Sequence, residues 1–196
     1  MTLRLLFAHG AGLPSSSPWM VDWAHKLSGF GTVTRFDYPY MAAGKGRPDR
    51  MPVLLAAHRD ALHELPGDGP VVLIGKSMGS RMGCHVSLDE RIAAVVCLGY
   101  PLAAMGNPSK LRDEVLLSMN TPVLFVQGTR DRLCPLGLLE DVRGRMTAVH
   151  ALHIVETGDH SLQITKTHTK QTGVTQAHSD AAAIAAIGAF LGSHAV

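Results

Sequence analysis

Three residue types that together make a hydroxyl nucleophilic stand in three widely separated loops of this chain: Ser77, Asp131 and His160. A serine hydroxyl attacks a carbonyl poorly until a base takes its proton, and the base needs an acid to hold its tautomer and stabilise its charge. Ser77 lies in Gly75-Lys76-Ser77-Met78-Gly79, directly after the apolar run Val71-Val72-Leu73-Ile74. This pattern is how a buried parallel strand ending in a sharp strand-to-helix turn is written. A Cβ at 75 or 79 would crowd the neighbouring strand and helix. The backbone N–H of Met78, the residue after the nucleophile, is then placed to stabilise an oxyanion, and Ala11 in the loop after the first strand, with Gly12 as the second choice, is expected to supply the other N–H.

Two plainer readings compete. Gly-Lys-Ser ends a phosphate-binding loop only if a glycine stands five positions before Gly75, and that position is Pro70. Alternatively, Ser77 merely caps a helix after an ordinary turn. The neighbours at the other strand ends decide against that. Asp131 follows Pro122-Val-Leu-Phe-Val126 and Gly128-Thr129-Arg130, and His160 follows Gly158-Asp159. The chain order Ser, Asp, His is the α/β-hydrolase order, unlike those of chymotrypsin and subtilisin. Asp159 competes with Asp131 as the acid, but adjacent side chains in an extended loop diverge.

His9, in His9-Gly10-Ala11-Gly12, is expected to brace its loop rather than transfer a proton. His150 and His153 fall in or entering a strand, and His168 and His178 in a polar stretch. His25, His58, His63, His85 and His194 read as ordinary helix positions. Candidate substrate contacts are Gly12, Lys76 and Tyr100, with Lys76 facing a substrate carboxylate and Arg81, Arg130 and Lys166 as further cations. Met41, Met78, Met82 and Met105 are candidates to line the pocket, against the alternative that they pack the core. Cys134 reads as a small buried hydrophobe. No Cys/His/Asp cluster has metal-ligand spacing, so neither metal nor cofactor is expected.

The elements that would position these residues alternate. Strands are expected at 3–8, 32–37, 71–74, 93–101, 122–126 and 149–156. Helices are expected at 18–27, 49–65, after Ser77, at 110–119, 136–146 and 180–191, while 161–178 lacks periodicity. Strand–helix alternation at this spacing predicts a three-layer α/β/α sandwich with about six mostly parallel strands, whose ligands sit at the carboxyl ends of the strands. At 196 residues a single domain spanning 1–196 is expected. The net charge of +2 gives no reason to expect nucleic acid or a membrane surface as partner. The short apolar start stops at His9-Gly10 and reads as a strand, and three cysteines without paired spacing fit a reducing, cytoplasmic compartment.

Taken together, His9-Gly10-Ala11-Gly12, Phe36-Asp37-Tyr38-Pro39-Tyr40-Met41, Gly75-Lys76-Ser77-Met78-Gly79, Cys97-Leu98-Gly99-Tyr100-Pro101, Gln127-Gly128-Thr129-Arg130-Asp131 and Gly158-Asp159-His160 resemble a known group. It comprises small bacterial α/β-hydrolase-fold proteins related to dienelactone hydrolases and to the testis-expressed/KANSL-type hydrolase-like family. The resemblance runs over nearly the whole chain and implies a minimal α/β-hydrolase fold with Ser77, Asp131 and His160 in the triad positions. It implies no substrate. Dienelactone hydrolases proper carry a cysteine nucleophile where this chain has Ser77. About twenty residues separate the fourth and fifth strands, so no lid domain is expected, and the site should be open, shallow and poor in aromatic lining unless 40–49 or 161–178 folds over it. The expected activity is hydrolysis of a small ester or acyl substrate through an acyl-enzyme. The alternatives are a non-catalytic interaction module on the same fold, and an acyltransferase or thioesterase using the same triad.

Overall fold

The computed structural model describes residues 2–104 and 107–195. Its centre is a six-stranded parallel sheet in the order β2-β1-β3-β4-β7-β8, formed by β1 (Leu3–Ala8), β2 (Gly31–Phe36), β3 (Val71–Lys76), β4 (Ala94–Leu98), β7 (Val123–Gly128) and β8 (His150–Val155). A two-stranded antiparallel ribbon, β5 (Ala103–Ala104) with β6 (Asn107–Leu111), follows β4.

Burial follows the sequence pattern strand by strand. In β3, β4 and β7 every residue is buried, as unbroken apolar runs require when helices cover both faces. The edge strand β2, Gly-Thr-Val-Thr-Arg-Phe, is only half-buried. On one face, α1 (Pro18–Leu27) and the long α8 (Gln176–His194) bury Trp23, Leu27, Ile187 and Phe190 against Leu5, Val72 and Val96. On the other, α3 (Met51–His63), α4 (Met78–Val86), α5 (Glu114–Ser118) and α6 (Leu136–Arg143) bury Leu62, Cys84, Leu116 and Leu139 against Leu73, Val95 and Phe125. The expected three layers are therefore present.

Several boundaries differ from expectation. The stretch expected as a helix from 110 begins as strand β6, and only Glu114–Ser118 is helical. A short turn of helix, α2 (Pro39–Ala42), starts the loop after β2. The polar stretch 161–178 holds α7 (Lys166–Thr172), capped by the Thr165 hydroxyl, which accepts from the His168 N–H at 3.1 Å. The start of α8 is four residues earlier than expected because Thr175 and His178 form a reciprocal capping box.

The chain passes from β1 outward to β2 and then back across β1 to β3. The carboxyl ends of β1 and β3 thus flank the topological switch point, where an open parallel sheet leaves a crevice. The loop from His9 and the turn at Ser77 both open there.

Candidate active site

Ser77 is one of the few non-glycine residues at positive φ, at 53° with ψ −113°. L-residues avoid that region, so the conformation is stored strain held by its surroundings. Those surroundings are glycine. A Cβ on Gly75 would lie 2.1 Å from the Ser80 nitrogen, and one on Gly79 would lie 2.4 Å from the Ala8 oxygen. The expectation of crowding at both flanks therefore holds, on the helix side at 75 and on the β1 side at 79. Between them the turn lifts the Ser77 hydroxyl clear of the sheet.

The three loops converge. The Ser77 Oγ is 2.8 Å from His160 Nε2, and His160 Nδ1 is 2.7 Å from Asp131 Oδ2. Asp131 also accepts from Gln127 Nε2 at 2.5 Å and from the Leu133 N–H at 2.8 Å. Burial opposes its charge, but the His160 ring and then the Leu133 and Gln127 donors outweigh burial and hold the carboxyl below its ordinary range. Asp159 is occupied elsewhere: its Oδ1 accepts from the N–H groups of Ser161 and Gln163 and shapes the loop. A hydroxyl bonded through imidazole to a buried carboxylate can lose its proton as it attacks a carbonyl.

His9 does brace its loop. Its Nδ1 lies 2.6 Å from the Gly10 carbonyl and its Nε2 accepts from the Tyr38 N–H at 3.1 Å, so the ring donates through Nδ1. The Tyr40 hydroxyl donates to the Ala11 carbonyl at 3.0 Å. Ala11, Gly12 and Met78 all line the cavity beside Ser77. Met78 opens α4, so its N–H has no acceptor within its own helix.

That cavity has a volume of about 720 Å³; it is poor in aromatic lining as expected, with Trp19 its one large aromatic ring among the described residues, and it is bordered by 40–49, one of the two segments named as able to fold over it. Gly46, Pro48 and Asp49 from the loop after α2 form one wall, and Trp19 stands on another, whereas the stretch 161–178 contributes Ser161 alone. Leu13, Met20, Met51, Leu54 and Leu133 make most of the lining apolar.

Two expected contacts need correction. Tyr100 does not reach the cavity: it is wholly buried, its hydroxyl donates to the Arg112 carbonyl at 2.9 Å, and its ring packs edge-on against Phe125. Lys76 does line the cavity, but as a buried side chain whose ammonium donates to the His160 carbonyl. Desolvation outweighs the nearby Asp131 and Asp159 and lowers its pKa to about 8. Of the other cations, Arg81 lines the cavity and Arg130 and Lys166 do not. Among the methionines, Met78 lines it, Met82 is buried and Met41 packs against the cluster under α3. Met105 lies outside the described residues.

His58 is not an ordinary helix position. It is fully buried, its Nδ1 is 3.0 Å from the Tyr38 hydroxyl, and burial lowers its pKa to about 3. Sequence reasoning also missed Gln127, which donates to Asp131 and accepts from the Tyr100 N–H at 3.0 Å. Its signal was available: a glutamine at the end of an otherwise apolar strand.

A family model described as alpha/beta hydrolase domain matches residues 1–192. The alpha/beta hydrolase GrgF from Penicillium sp. sh18 superposes with a TM-score of 0.71 at 13% identity, covering 100% of this chain and 91% of that one. A putative hydrolase of the alpha/beta superfamily from Xanthomonas campestris pv. campestris is 23% identical, with a TM-score of 0.57 and coverage of 93% and 96%. An alpha-beta serine hydrolase homologue from Coxiella burnetii gives 0.66 at 18% identity over 82% of this chain and 77% of that one. The chain belongs to the alpha/beta hydrolase domain family and is a hydrolase enzyme.

Proposed function

We propose that this protein is a serine esterase in which Ser77 attacks the ester carbonyl, His160 moves the proton and Asp131 holds the imidazole. The observation that carries this reading is the unbroken hydrogen-bonded run from Ser77 Oγ through His160 to Asp131, opening into a cavity. His160 takes the Ser77 proton as the tetrahedral oxyanion forms against the N–H groups of Met78 and Ala11, then returns it to the departing alcohol. Water, activated by the same imidazole, releases the acid from the acyl-enzyme.

An apolar cavity of about 720 Å³ holds a small or medium ester with its non-reacting part largely desolvated. The test is steady-state release of nitrophenolate from acetate and butyrate esters. Wild-type protein is expected to turn over both, and Ser77→Ala to lose activity by roughly 10³-fold or more. Equal rates in the two proteins would refute the assignment of Ser77. The same ester with added amines, alcohols or thiols reads acyl transfer, and faster consumption with a new acylated product would make the protein a transferase.

A further inference from the structure

The cavity beside Ser77 carries more positive charge than this chemistry uses. Arg81 lies one turn into α4, its backbone N–H bonded to the Ser77 carbonyl at 3.3 Å, and its half-buried side chain lines the cavity. Arg112, just past β6, lines the same cavity and is also half-buried. Among the described residues neither guanidinium has a carboxylate within ion-pair distance. Elsewhere the arginines Arg59, Arg143 and Arg145 are each paired with acids, Asp89 or Glu90, Glu140 and Asp113 respectively. The two cavity arginines differ from these three in facing the cavity beside Ser77 with no such bridge.

Their arrangement is electrostatically costly. Burial, and then the charge of Arg112, push the Arg81 pKa below its usual range against a smaller opposing pull from Tyr100 and Glu114. Two like charges held partly out of water, with no carboxylate bridged to either among the described residues, are relieved by an anion between them. The guanidinium fork matches a carboxylate in shape and donor spacing. The carboxylate lining this cavity among the described residues, Asp49, belongs to the wall near Tyr40, whose hydroxyl pKa its charge helps to raise. Most of the remaining lining is apolar, so the arginine pair makes one polar pole in an oily pocket.

We infer that Arg81 and Arg112 form a carboxylate-recognition subsite, and that the preferred substrates are esters bearing a carboxylate on the acyl or the alcohol part. The inference rests on the serine-esterase reading for the reaction itself, but the binding of the anion can be measured without turnover.

Two pairs of esters test it. The p-nitrophenyl monoester of glutaric acid against its methyl ester places the charge on the acyl side, and 4-acetoxybenzoate against its methyl ester places it on the alcohol side. At low salt, kcat/KM for the anionic member of at least one pair should exceed that of the neutral member by about tenfold, the scale of a hydrogen-bonded charge pair. Arg81→Gln with Arg112→Gln should bring the ratio towards one, and added salt should shrink it in wild type. Should the double variant fail to fold, Arg112→Gln alone supplies the comparison. Turnover of charged and neutral esters at equal kcat/KM in both pairs would overturn the subsite and leave the esterase reading intact. Absence of any turnover would refute the esterase reading. The subsite would then be judged by calorimetry on Ser77→Ala with 4-acetamidobenzoate and its methyl ester. Binding of the acid about tenfold tighter, lost in the arginine variants, upholds it. Equal binding, or none, overturns it.

Discussion

The ammonium of Lys76 stands between the Trp19 ring, 5.7 Å from its centroid, and the backbone carbonyl of His160. It therefore ties the loop that carries the imidazole to the strand that carries the nucleophile. Lys76→Met removes that tie while leaving an apolar side chain of similar length. It is expected to lower kcat about tenfold or more through a misplaced His160. Stability at pH 7 should hold or rise, because a buried charge is lost. Steady-state kinetics beside urea unfolding checks both. A parallel fall in stability would make Lys76 merely structural. Its titration adds a second readout. Between the folded pKa of about 8 and the ordinary 10.5, the unfolded chain binds more protons at this site, so it contributes stability that rises with pH across that window. The wild type should show this rise and Lys76→Met should lack it. For Asp131, replacement by Asn keeps the shape but reverses the imidazole tautomer. It should reduce kcat by roughly 10³- to 10⁴-fold with little change in fold, as read by kinetics and circular dichroism.

At the scale of elements, the turn between β3 and α4 carries the site. Gly75→Ala and Gly79→Ala each force a Cβ into backbone atoms of α4 or β1, which a rigid strand–helix junction cannot yield. Each should destabilise by about 3 kcal/mol or more in thermal melts, far beyond an ordinary surface Gly→Ala change. The same turn shows why so much was legible in the chain. Glycines at 75 and 79, an apolar run before them and the ends of later strands follow local rules, and those rules place Ser77, Asp131 and His160 together. The misreadings come from tertiary context. Tyr100, within the expected strand 93–101, was a candidate substrate contact, yet its hydroxyl turns inward to the Arg112 carbonyl. Lys76 was expected to face a substrate carboxylate, but it sits in a strand buried along its whole length with its ammonium on the His160 carbonyl. The cavity wall at Gly46, Pro48 and Asp49 has no periodic signature, since a loop of Gly, Arg and Pro does not announce what it covers. Likewise β6 reads as the start of a helix, because a two-stranded ribbon is specified by its partner β5 rather than by its own residues.

For the whole molecule, α3 is locked to the loop after β2 by the buried pair of His58 and Tyr38, packed with Phe36. Burial, with a smaller push from Arg59, lowers the His58 pKa from 6.5 to about 3. Below pH 6.5 the unfolded chain takes up a proton that the native state refuses, so stability falls as pH drops towards 3. This single group supplies a slope approaching about 1.4 kcal/mol per pH unit. His58→Phe loses the Tyr38 bond and some absolute stability, but its stability should depend less steeply on pH between 6 and 4. Urea unfolding at several pH values reads the two slopes, and identical slopes would show that His58 is accessible to protons in the native state.

The central claim is that Ser77 is an activated nucleophile, and a fluorophosphonate probe tests it without any knowledge of the substrate. Labelling of wild type and Ser77→Ala, read by mass spectrometry of the peptides, should place the probe on Ser77 in the wild type and nowhere in the variant. A folded wild-type protein whose Ser77 stays unlabelled would contradict the account.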